Sequence, residues 1–89
     1  MTDPAIEIDM LGGNCPVQGE GTIGKEPWYF SARGQSWSLA IGGDTPVSPR
    51  VSFSGEYGDT PYSAGWMPQY VALEIIADCF RRFIEGDVE

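Results

Sequence analysis

Ala72, Ile76, Cys79, Phe80 and Phe83 recur at three- and four-residue spacings, widened by Leu73 and Ile84, and so draw one apolar stripe along a helix. The pattern predicts a helix over about residues 68–85. Pro68 stands at its first position, where a missing N–H is harmless, and Gly86 just past its end. Gln69, Glu74, Asp78, Arg81, Arg82 and Glu85 take the wet side, with Asp78–Arg82 and Arg81–Glu85 spaced as i,i+4 pairs. The apolar patterning upstream has a period of two. One helical stripe and several half-apolar strands have a single economical packing, with the helix laid across one face of a sheet.

The strands read as follows. Ile6, Ile8 and Met10 alternate with Glu7 and Asp9, and Val17, Gly19, Gly21 and Ile23 alternate with Gln18, Glu20 and Thr22. Two glycines on the inward side of the second run suggest a bulge or room for a large neighbour. Trp28, Phe30 and Ala32 oppose Tyr29, Ser31 and Arg33. After Gly34-Gln35, which suits a two-residue hairpin turn, Trp37, Leu39 and Ile41 oppose Ser36, Ser38 and Ala40. Val51 and Phe53 suggest a short fifth strand, and the Gly-, Ser-, Pro- and Tyr-rich stretch that follows reads as a long loop. The expectation is a single α+β domain over 1–89: an antiparallel sheet of four to five strands at about 5–54, a loop at 54–67 and one C-terminal helix packed on one face. Trp28, Phe30, Trp37, Leu39, Ile6, Ile8, Val17 and Ile23 would meet Leu73, Ile76, Phe80 and Phe83. The opposite face would carry Glu7, Asp9, Gln18, Glu20, Thr22, Tyr29, Ser31, Arg33, Ser36 and Ser38.

Composition narrows the chemistry. Thirteen Asp and Glu against five Lys and Arg give a net charge of −8. Direct binding of nucleic acid or of an anionic membrane is disfavoured, because both draw their affinity from cations, whereas docking on a basic protein surface is compatible with this charge, as is acidity serving solubility alone. The chain has no histidine, so the usual general base and the commonest transition-metal ligand are missing. Lys25 lies in a turn, no serine stands in a nucleophile elbow, and Asp44 and Asp59 lack a calcium-binding loop around them. These residues predict no enzyme, no cofactor and no metal. Cys15 and Cys79 are too few for a disulfide scaffold. Both are expected as free thiols, with a disulfide through Cys15 as the alternative. No apolar run approaches the length of a membrane span, and the Met-Thr-Asp-Pro start lacks a signal-peptide pattern, so a cytoplasmic protein is expected.

Of the aromatic residues outside the main sheet, Trp66 is expected partly buried ahead of the helix, and Tyr57 and Tyr62 to offer contacts from the loop. Residues 13–23 (GNCPVQGEGTI), 28–34 (WYFSARG), Trp37-Ser38 and 64–68 (AGWMP) are similar to small proteins of proteobacterial phages and prophages. The chain as a whole resembles anti-CRISPR proteins directed against type I-C systems. The resemblance implies a non-catalytic inhibitor in the cytoplasm of a bacterial host, which binds the type I-C Cascade complex and blocks target DNA binding, in the manner of a DNA mimic. It carries over no functional residue. From charge and expected exposure, the partner-binding set is Glu7, Asp9, Glu20, Tyr29, Arg33, Tyr57 and Tyr62. The alternative is a phage structural or assembly protein acting by self-association, and the protein is expected as a monomer or homodimer.

Overall fold

The computed structural model describes residues 5–14, 16–43, 49–58, 60 and 63–86. Five strands, β1 (Ile6–Gly12), β2 (Val17–Ile23), β3 (Glu26–Arg33), β4 (Ser36–Ile41) and β5 (Val51–Glu56), form one antiparallel sheet in sequential order. A 3₁₀ turn at Ala64–Trp66 leads into the single helix α1 (Gln69–Glu85). The fold is α+β. The β3–β4 hairpin closes as its sequence predicts: Arg33 pairs with Ser36 across Gly34-Gln35, and Gly34 takes a φ of 64° that a side chain would resist.

The core is one layer between sheet and helix. Val17, Ile23, Trp28, Phe30, Leu39, Ile41 and Phe53 from the sheet meet Ala72, Ile76, Cys79 and Phe80 from α1, with Ala64 and Met67 closing one end. Phe80 meets Trp28 edge-on at 5.4 Å between ring centroids, and Trp37 stacks on Phe30 at 6.3 Å. The two inward glycines of β2 make room for Trp28. A Cβ on Gly21 would overlap the Glu7 carbonyl and stand 3.0 Å from the Trp28 indole nitrogen, and one on Gly19 would stand 3.4 Å from its ring. The indole N–H donates to the Glu7 carbonyl at 3.2 Å, tying β1 to the core across β2.

Four expectations are corrected. β1 contains a bulge between Ile8 and Met10, so Met10 pairs with Glu20 on the outer face and Leu11, opposite Gly19, takes the inward place. The extra residue reverses the alternation beyond it. Ile6 and Ile8 lie on the inner side but outside the core, 46% and 47% exposed, because α1 does not cover β1. Leu73, assigned to the core, is exposed at the flank of α1. Pro68 is extended (φ −61°, ψ 148°) and caps the helix from outside, its carbonyl receiving the N–H groups of Val71 and Ala72. Gly86 ends α1 in the left-handed region at φ 78°, as its sequence suggests.

Candidate docking face of the sheet

Strand register decides which side chains share the face opposite α1. Glu7 pairs with Thr22 and Thr22 with Pro27; Glu20 pairs with Tyr29, Tyr29 with Ala40, and Ala40 with Ser52. Gln18, Ser31, Ser38 and Ser54 form the next row, and Arg33, Ser36 and Glu56 the last. Each of these residues has the parity opposite to the buried Trp28, Phe30 and Leu39. Asp9, although it stands in the bulge, still reaches this side: it lines one hollow of about 450 Å³ together with Glu20, Thr22, Pro27 and Tyr29.

Glu7, Asp9 and Glu20 therefore gather on the β1–β2 half of a face that no described element covers, and all three are exposed. Glu7 and Glu20 are diagonal neighbours across the strand pair, a relation that places Cα atoms about 7–8 Å apart. Neighbouring like charges repel weakly in water, a cost that an approaching cation removes. Tyr29 is half-buried beside them, its hydroxyl accepting from the Gln18 side-chain amide at 2.7 Å. That bond holds the hydroxyl toward β2.

Arg33 does not join the acidic group. It lies four residues along β3 from Tyr29, about 13 Å at strand rise, in a second hollow of about 460 Å³ lined by Ser31, Ser36, Ser38, Ser54 and Glu56. The face thus has two halves, one bearing Glu7, Asp9 and Glu20 and one of serine hydroxyls flanked by Arg33 and Glu56. Glu56 was outside the expected set because the fifth strand runs to residue 56 rather than 54. The signal was its parity with Ser52 and Ser54.

The aromatic expectations largely exchange places. Tyr57 is half-buried against the core, its backbone N–H bonded to the Gln35 carbonyl at 2.8 Å. Trp66 is 63% exposed and Tyr70 68% exposed. The 3₁₀ turn puts Ala64 and Gly65 inward and sends the following Met67 into the core, which leaves the indole outside. Tyr62 and Cys15 lie outside the described residues, as do Asp44 and Asp59.

Cys79 is a buried free thiol. Burial, with a smaller contribution from Asp78, pushes it up to about 11 despite the opposing effect of Arg82, so at neutral pH it is a protonated and weak nucleophile. Among the described residues no three His, Cys, Asp or Glu side chains are grouped to hold a metal ion, and no helix is long and apolar enough to cross a membrane. No protein-family model, curated protein or solved structure matches the chain.

Proposed function

We propose that this protein is a non-catalytic inhibitor that binds a host protein complex, presenting the Glu7–Asp9–Glu20 half of its sheet to a basic surface that otherwise holds nucleic acid. The supporting observation is the placement of these three exposed carboxylates on the sheet face opposite the helix. A net charge of −8 accelerates approach to a cationic partner and keeps nucleic acid itself away. The family resemblance makes the type I-C Cascade complex the first partner to test, with obstruction of target DNA binding as the mode of action.

The test is competition between this protein and duplex target DNA for purified type I-C Cascade. Wild-type protein should displace DNA, more strongly at low salt. A Glu7→Lys/Asp9→Lys/Glu20→Lys variant should lose at least tenfold in inhibitory potency. Equal potency of this variant would remove the acidic face from the mechanism. A second reading, self-association in a phage assembly, draws on the exposed β1 edge. Light scattering across a concentration series decides it, since a persistent monomer removes that reading.

A further inference from the structure

β1 borders the sheet on one side, pairing with β2 and with no other described strand. The Ala5 carbonyl accepts from the Gly24 N–H at 2.7 Å, and the Glu7 carbonyl turns inward to Trp28. Backbone groups alternate in direction along an antiparallel strand, so Ile6 and Ile8 aim their N–H and C=O groups at the open edge. The side chains of Ile6 and Ile8 extend the apolar inner layer past the reach of α1. Ile6 lines a hollow of about 340 Å³ with Ala77, Phe80 and Ile84, whose rim carries Arg81 and Glu85. On the opposite side of the same strand stand Glu7 and Asp9, with Glu20 beside them.

An occupant of this edge must satisfy three conditions together: backbone groups in an extended line, apolar side chains toward the helix, and cations toward the carboxylates. A second copy of β1 meets the first two and fails the third, because a two-fold pairing would set Glu7 and Asp9 against another Glu7 and Asp9 in a molecule of net charge −8. Like charges along an edge strand are a device by which such strands resist self-pairing. The chain's own C-terminal residues, Asp87, Val88 and Glu89, carry the wrong sign as well.

We propose that β1 accepts a sixth strand from a partner protein, an extended segment in which apolar residues alternate with lysine or arginine. The inference rests on the protein-docking reading above and names how that partner is gripped: main-chain bonds at Ile6 and Ile8, apolar side chains against Ile6, Ile8 and Ile84, and cations on Glu7, Asp9 and Glu20.

The probe is a capped ten-residue peptide of alternating valine and lysine, compared with a peptide of equal composition in which the residues come in like pairs. With ¹⁵N-labelled protein the alternating peptide should slow amide exchange at Ile6 and Ile8 at least tenfold and bind at least tenfold tighter than its paired-order counterpart. Ile8→Pro removes one outward N–H without touching the β2 ladder, and Ile84→Lys places a cation on the apolar side; each should weaken the alternating peptide about tenfold. Equal binding of the two peptides, or none, overturns the sixth strand. Protection of Ile6 and Ile8 in the protein alone also overturns it, pointing to a second copy if it rises with concentration and to the chain's own tail if it does not. Cascade inhibition that survives Ile8→Pro and Ile84→Lys but not the triple charge reversal removes the added strand and keeps the acidic face. Inhibition that survives the charge reversal removes the acidic face itself.

Discussion

The sheet has two edges, and they are finished differently. At β5 the inner position is Phe53, 6% exposed, with the Arg82 guanidinium 5.0 Å above its ring, and Trp37 fills the space over Gly55. At β1 the corresponding inner positions, Ile6 and Ile8, are nearly half exposed, and the strand is tied inward chiefly through Leu11 and the Glu7 carbonyl. Geometry explains why both edges cannot be sealed alike. Five strands at about 4.8 Å spacing span roughly 19 Å, whereas one helix with its side chains is about 10 Å wide. A single helix must leave part of such a sheet to other cover. Here Trp28, Trp37 and the 64–67 segment fill in beneath and beside it, and β1 is the strand left over. The exposed isoleucines thus follow from the economy of the fold: one helix cannot roof five strands, and the inner side chains of β1 stay half open.

The contrast is open to direct attack. The largest expected effect is at the sealed edge and the core: Phe53→Ala should cost about 3–5 kcal/mol in urea unfolding, while Ile8→Ala costs under about 1 kcal/mol because its side chain leaves little behind. Comparable losses would erase the distinction between the edges. Next, Gly21→Ala should push a methyl group into the Glu7 carbonyl and cost about 1–3 kcal/mol. Its signature is amide exchange that accelerates in β1 while β4 and β5 keep their protection; uniform acceleration would mean that β1 is not a separable strand. Arg82→Ala removes the cover over Phe53 and should cost about 0.5–1 kcal/mol, whereas Ile84→Ala, beside the open edge, should stay within about 0.5 kcal/mol.

The smallest effect concerns the roofed interior. Cys79 is raised to about 11 from an unfolded value near 9, so its contribution to stability is complete below about pH 9 and is lost as pH rises through 11. Native protein at pH 8 should leave Cys79 unmodified by iodoacetamide, and urea should expose it to rapid labelling. Fast labelling of Cys79 in the native state would place it outside the helix–sheet layer.

Much of this was readable in advance. Period-two runs identified all five strands, and the parity of Glu7, Glu20, Tyr29 and Arg33 put them on the face opposite Trp28 and Phe30, as the register now shows. Non-local geometry decided the exceptions. Met10 and Leu11 exchanged faces because a bulge adds one residue that no local pattern announces. Trp66 and Met67 are adjacent apolar residues, and the 3₁₀ turn decided which of them points inward. The helical phase of Tyr70, off the 72–76–79–80–83 stripe, would have predicted its exposure.

The amino-acid sequence alone determined the elements, the hairpin turn at Gly34, the buried stripe of the helix and the acidity of the molecule, because each depends on residues a few positions apart or on composition. Only the tertiary structure decided which strand stays uncovered, that Arg33 stands apart from the three carboxylates, and that Ile6 and Ile84 border one open hollow. Those outcomes depend on the width of a helix against the breadth of a sheet, a competition for space between segments nearly eighty residues apart.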